Sequence, residues 1–176
     1  MNNIEIYYIN TDNLTEFNLN IFSKYLKNKN FKSEKRKIQF CLGRFIAEKV
    51  LQTKGFKNFE ILTKNNKPYI KNNPIYFSIS HSNNIVLVAF ADCEIGADIE
   101  FMKQRNFKEL YRRLNVNTKD LSKENFYKFW TQYEAKIKLQ QEPCTTHTIP
   151  FENNFMLSVS TASQSQITNI KELKID

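Results

Sequence analysis

From Ile95 to Phe101 the chain alternates: Ile95, Ala97, Ile99 and Phe101 are apolar, while Gly96, Asp98 and Glu100 fall on the opposite face. That period of two predicts a strand. A helical period runs through 33–52, where Ile38, Cys41, Leu42, Phe45, Ile46 and Leu51 share one side. A second long helix is predicted over 122–141, with Ser122 as its N-cap. Shorter patterns add helices at 14–26 and 107–114 and strands at 4–9, 59–62, 68–70, 77–79, 85–91, 155–160 and 167–175. Asn65-Asn66 reads as a turn joining the strands on either side of it, and 77–79 pairs with 85–91 as a hairpin. The pattern describes an α/β (α+β) chain of two similar-sized halves, 1–94 and 95–176, with no low-complexity linker or clear repeat between them.

Composition narrows the chemistry. With 176 residues the chain can bury a substantial core. Its three glycines, Gly43, Gly55 and Gly96, are too scattered for a glycine-rich phosphate loop, so any nucleotide must be held by side chains. Cys41, Cys93 and Cys144 are odd in number and widely spaced, and they accompany just two histidines. This argues against zinc and a disulfide framework, and for apolar filler in a reducing cytoplasm. The start, MNNIEIYY, lacks a basic region and carries Glu5, so no signal peptide is expected there. The longest apolar run, Ile85–Ala91, is a strand's length and too short for a bilayer.

Charge is concentrated. Eleven lysines and arginines between Lys24 and Lys57 face only Glu34 and Glu48, a local excess larger than the formal +8 of the whole chain. Such a patch suits nucleic acid, an anionic membrane, or a ligand with several phosphates; for any single lysine a solvated helix face is an equal reading. Phe40, Phe45, Phe77, Phe126, Phe129 and Phe155 sit at core-like positions, which favours packing over base stacking.

Three words carry candidate chemistry. Asp98 and Glu100, two apart on a strand, sit roughly 6.6 Å apart along it, within reach of one hard cation. A bare DxE is more often a solvated edge. Trp130, Glu134 and Lys138 recur at i, i+4 and i+8 and form one helical stripe, in isolation an ordinary Glu–Lys pair worth a few tenths of a kcal/mol, roughly. His81 lies among hydroxyls in SISHS, and a lone histidine is more often structural than functional.

Their order and spacing change the weighing. FSISHS, a hydrophobic hairpin, IGADIE, and then WTxxEAxxK resemble the 4′-phosphopantetheinyl transferases. The similarity is to the longer, pseudo-dimeric branch (surfactin-synthetase-activating type) more than to the short trimeric holo-ACP synthases. It spans 33–139, counting RKIQFCLGRFIAEKVL and NNKPYI. The resemblance implies a cytoplasmic monomer of two pseudo-twofold halves with coenzyme A as co-substrate in the cleft between them. An apo acyl carrier protein or peptidyl carrier domain would be the partner, with neither nucleic acid nor membrane. It implies Mg²⁺, or Mn²⁺, held by Asp98, Glu100 and Glu134. Glu134 would be the base, Lys138 would stabilise charge on the phosphates, and His81 with Ser80 would meet a phosphate. Lys67 would lie beside the adenine, and Arg36 or Arg44 would meet the 3′-phosphate.

Two departures stand out. Tyr133 replaces the lysine usual before the helix glutamate, with Lys136 the nearest cation that could stand in, and QQEPCTTHTIP replaces a glycine-rich continuation. They put rate and carrier choice in question more than the metal site. Two other classes remain: a coenzyme A-binding relative with weak or no catalysis, and a basic nucleic-acid-binding protein that ignores the acids. A second basic group, Lys103, Arg105, Lys108, Arg112 and Arg113, is expected to dock an acidic carrier while the 24–57 patch serves coenzyme A.

Overall fold

A computed structural model describes residues 2–14, 19–26, 29–71 and 75–175. It is a mixed α+β structure, as the sequence predicts. β1 (Asn2–Asn10), β4 (Tyr76–Ser82), β5 (Ile85–Ala91) and β9 (Ser165–Glu172) form one sheet in the order β4-β5-β1-β9. β6 (Ile95–Phe101), β7 (Thr145–Phe151) and β8 (Phe155–Thr161) form a second in the order β6-β8-β7. β2 (Ile61–Lys64) and β3 (Lys67–Ile70) make a separate hairpin, whose turn residues Asn65 and Asn66 take positive φ (49° and 61°). Three α-helices, α1 (Glu34–Thr53), α2 (Phe107–Arg113) and α3 (Lys123–Leu139), and two 3-10 helices, Thr11–Asn13 and Leu19–Tyr25, complete the elements of the described residues.

The alternation in each strand decides the layering. β5 is buried on both faces: Val86, Val88 and Phe90 meet Leu42 and Ile46 of α1, while Ile85, Leu87 and Ala89 meet Ile95, Ala97 and Ile99 of β6 and Leu157 and Val159 of β8. The order is therefore helix, sheet, sheet, helix, with α3 on the outer face of the second sheet. Ser33 and Ser122 cap α1 and α3 as their sequence context demands, accepting from the backbone N–H groups of Arg36 and Asn125. A third cluster, including Phe107, Tyr111, Phe126 and Met156, seats α2 against the start of α3.

The halves share a connectivity. β1, α1 and the β4–β5 hairpin are echoed by β6, α3 and the β7–β8 hairpin, and in each half the last strand pairs antiparallel with the first. They also exchange an element. β9, from the 95–176 half, lies parallel to β1 in the other half's sheet.

Three local features differ from the sequence reading. Within the 14–26 helix, Leu19–Tyr25 is 3-10, and residues 15–18 lie outside the described residues. Phe22 and Tyr25, three apart, are partly stacked there, and Phe22 also meets Phe45 of α1, a spacing that suits the tighter helix. α3 ends at Leu139, where Gln140 turns left-handed (φ 62°). β7 occupies a stretch that the sequence reading leaves unassigned. Thr146 and Thr148 hydrogen-bond Ser160 and Ser158 of β8 on the face toward α3, and on the core face only Ile149 and Phe151 are apolar, so the alternation is too short to read as a strand. Pro150 is tolerated because β7 is an edge strand.

Candidate active site

β6 is the edge of its sheet, and an antiparallel ladder leaves alternate N–H groups of an edge strand pointing away from its partner. β4 satisfies them with side chains. Ser78, Ser80 and Ser82 share one face of β4 and accept from the N–H groups of Ala97 (3.0 Å), Ile99 (3.2 Å) and Phe101 (3.0 Å). The alternation in SISHS thus seams the two sheets together.

The same hydroxyls hold the acids. Ser80 donates to Asp98 Oδ1 (3.0 Å) and Ser82 to Glu100 Oε2 (2.8 Å). α3 closes the site from above, because its backbone lies against Gly96. A Cβ at that position would stand 2.1 Å from the Ala135 carbonyl oxygen and 2.4 Å from the Leu139 nitrogen. This close approach brings Lys138 down onto β6. Its ammonium donates to Asp98 Oδ1 (2.7 Å), Ser80 Oγ (3.0 Å) and the Ala97 carbonyl (3.0 Å).

The electrostatics are those of crowded acids. Burial pushes the Asp98 carboxyl above its ordinary range, although Lys138 and Ser80 pull it down. Burial also raises Glu100 and Glu134, and in both the Asp98 charge adds to the rise. Asp98 Oδ2 is buried and has no hydrogen-bond partner among the described residues. An orphaned carboxylate oxygen beside two further acids is a donor set suited to a hard divalent cation. Among the described residues, however, no three His, Cys, Asp or Glu side chains are already grouped around a common point. Lys138 supplies the positive charge at Asp98 in this structure.

Opposite the acids, the start of α1 contributes cations. Ser33, Lys35 and Arg36 line a cavity of about 570 Å³ together with Ser80, His81, Asp98, Glu100 and Lys138. An Arg36 Nη1 lies 3.2 Å from His81 Nε2. Burial first, and then Arg36, depress the histidine to about 4, so it is neutral at pH 7 and its Nε2 is free to accept from Arg36.

Most of the predicted site residues therefore meet: Arg36, Ser80, His81, Asp98, Glu100 and Lys138 share one cavity. Glu134, a turn before Lys138, is half-buried and outside that lining. Arg44 is elsewhere. It lines a cavity of about 750 Å³ with Lys24 and Lys57, donates to Thr63 (2.9 Å) and lies over the Phe40 ring. Lys67 lines a third, about 700 Å³ in volume, between the β2–β3 hairpin and the end of α3, where it pairs with Glu94 (2.7 Å). Trp130, first of the helical stripe, stacks on Phe126 in the core. Tyr133 is 47% exposed and stacks on Phe129.

The basic patch is partly neutralised, since Lys24 pairs with Glu48, Lys37 with Glu34 and Lys54 with Glu5; Lys27 lies outside the described residues. In the second basic group Arg112 and Arg113 both pair with Glu109, yet their side chains remain 73% and 69% exposed. Among the described residues no helix is long and apolar enough to cross a membrane.

No curated protein matches the chain. Residues 30–91 match a family model described as the 4′-phosphopantetheinyl transferase N-terminal domain. The matched stretch runs from just before α1 to the end of β5 and holds Arg36, Lys67, Ser80 and His81, while Asp98, Glu100, Glu134 and Lys138 lie beyond it. Over residues 30–91 this chain is similar to the phosphopantetheinyl transferase superfamily, and the match supports a transferase role.

Proposed function

We propose that this protein transfers 4′-phosphopantetheine from coenzyme A to a serine of an apo acyl carrier protein or peptidyl carrier domain, releasing adenosine 3′,5′-bisphosphate. The observation that carries the reading is the convergence of Ser80, Asp98, Glu100 and Lys138 from three elements, with the buried Asp98 Oδ2 left over. The family match over 30–91 supports the same reading. The two halves, alike in connectivity, are read as a pseudo-twofold pair.

In this reading the carrier's seryl oxygen attacks the phosphorus bearing the pantetheine arm. A new P–O bond forms and the phosphoanhydride P–O bond to the adenosine bisphosphate breaks. Asp98, Glu100 and Glu134 would hold Mg²⁺, or Mn²⁺, which when bound neutralises and orients the pyrophosphate. Glu134 takes the seryl proton, a role favoured by the rise that burial and Asp98 impose on it. The Lys138 ammonium faces the charge that moves onto the leaving phosphate. Arg36 and Lys35 add positive charge on the far wall, and His81, released from Arg36 by the incoming phosphate, would donate a ring N–H to a phosphate oxygen.

The test is intact mass. Incubated with coenzyme A, Mg²⁺ and each of the host's apo-carriers, the protein is expected to add one phosphopantetheine mass to at least one of them. If no carrier gains mass, the transferase reading falls. Calorimetry with coenzyme A then separates the other classes: tight, metal-independent binding marks an inactive relative, and no binding favours the nucleic-acid reading.

Carrier choice makes a separate prediction. Because Arg112 and Arg113 project into solvent on α2, between β6 and α3 in the chain, reversing both to Glu is expected to raise KM for the carrier and leave coenzyme A affinity nearly unchanged. Steady-state kinetics with each substrate varied in turn checks this. Weakened coenzyme A with an unaltered carrier KM would show the two basic surfaces are assigned the wrong way round.

A further inference from the structure

The serine ladder of β4 has three rungs, and they differ in what they do. Each hydroxyl accepts one β6 N–H, so each has one proton left to give. Ser80 gives its proton to Asp98, at the centre of the site already described. Ser78 also caps a β6 N–H and is buried, but the β6 residue facing it is Gly96 or Ala97, which offers no carboxylate. Ser82 is the third rung. It is the last residue of the strand, half-buried, and gives its proton to Glu100 Oε2 at 2.8 Å.

We infer that Ser82 is a positioning residue: by bonding the Phe101 N–H and Glu100 Oε2 together it holds the Glu100 carboxylate in the orientation that lets its other oxygen serve the cation. This rests on the metal-holding role proposed above for Asp98, Glu100 and Glu134. The Phe101 N–H fixes the Ser82 hydroxyl on the strand, and that hydroxyl's bond to Oε2 restrains the Glu100 carboxylate. A long glutamate otherwise loses rotamer entropy when it closes on a metal, whereas one held beforehand has already lost it. Asp98 is shorter, buried, and fixed by both Ser80 and Lys138, so it has no comparable need of a dedicated partner. Glu100 is longer and is held instead by the Ser82 hydroxyl.

The ladder contains its own control. Ser78→Ala and Ser82→Ala each remove a cap from β6 and are expected to lower thermal stability alike, but only Ser82→Ala removes a carboxylate's partner. The measurement is Mn²⁺ binding to the full chain with coenzyme A present, followed by the paramagnetic signal of free Mn²⁺. Wild type is expected to bind one Mn²⁺. Ser82→Ala is expected to weaken that binding about 10-fold, in the range that loss of an outer-shell partner of a metal ligand produces. Ser82→Thr, which keeps the hydroxyl, is expected to restore it, and Ser78→Ala to leave it unchanged. In a Glu100→Gln background Ser82→Ala is expected to add no further loss, because the carboxylate it orients is gone. If wild type binds Mn²⁺ and Ser82→Ala binds it equally well, the positioning role is wrong while the metal reading stands. Equal losses in Ser78→Ala and Ser82→Ala overturn it too, since strand capping then explains both. Absence of binding by wild type removes the metal reading and this inference with it.

Discussion

Asp98→Asn is expected to lower phosphopantetheine transfer roughly 10²-fold or more, the usual scale for losing an electrostatic stabiliser, while the protein still folds. Asparagine keeps an oxygen where Lys138 and Ser80 now find Oδ1, so the hydrogen bonds across the seam survive. What goes is the negative charge and the buried Oδ2 with no partner. Asp98→Ala is a harsher change. It leaves the Lys138 ammonium without its counter-charge, and removing one partner of a fully buried pair costs about 3–5 kcal/mol. Lys138 is 30% exposed, so its remaining hydration brings the expected cost below that range. Glu134→Ala should lose activity on the same scale with a smaller change in stability, because that side chain is only half-buried. Rates at saturating Mg²⁺, read beside urea unfolding midpoints, separate the effects. A wild-type rate in either the Asn or the Glu134 variant would show that these acids do not hold the reacting group.

Gly96→Ala is expected to be among the most damaging single substitutions in the chain. The added methyl would meet backbone, the Ala135 oxygen at 2.1 Å and the Leu139 nitrogen at 2.4 Å, and neither can rotate away. Either α3 lifts off β6 or the strand buckles. Ordinary overpacking costs about 1–3 kcal/mol, and here the obstruction is a helix backbone, so more than about 3 kcal/mol is expected. Activity should fall further than stability alone explains, since Lys138 rides on the displaced turn and its three contacts form only at the present separation. Gly43→Ala is the comparison. Its Cβ would crowd the Ile79 side chain at 2.6 Å, but alanine is better than glycine inside a helix by about 1 kcal/mol, which offsets part of the strain. Denaturant unfolding of both variants checks the ranking. A Gly96→Ala midpoint close to wild type would mean that α3 is not held against β6 as the structure shows.

Much of the fold was legible because local rules agreed with one another. Ser33 and Ser122 cap helices whose apolar positions follow the helical period, and Asn65-Asn66 takes the positive φ that the turn needs. β7 was illegible for a definite reason: one face meets hydroxyls under α3, and only Ile149 and Phe151 on the other are apolar, so hydrophobic alternation carries little signal there. The 3-10 stretch at Leu19–Tyr25 was misassigned because aromatic spacing of three is compatible with either kind of helix until packing selects one.

The site divides along the same line. Sequence spacing by itself determined that Asp98 and Glu100 share a strand face, that Glu134 and Lys138 share a helix face, and that serines alternate around His81. Those are properties of periods two and 3.6, and they hold wherever the elements go. Only the tertiary structure decided that the three faces converge. It required β4 to lie along the open edge of β6, and α3 to descend onto a residue without a side chain. It also separated Arg36 from Arg44, two turns apart on α1, because the helix directs one toward the acids and the other toward the β2–β3 hairpin. Periodicity specifies which side chains travel together; contact between distant strands, whose closure depends on the whole core, specifies where they arrive.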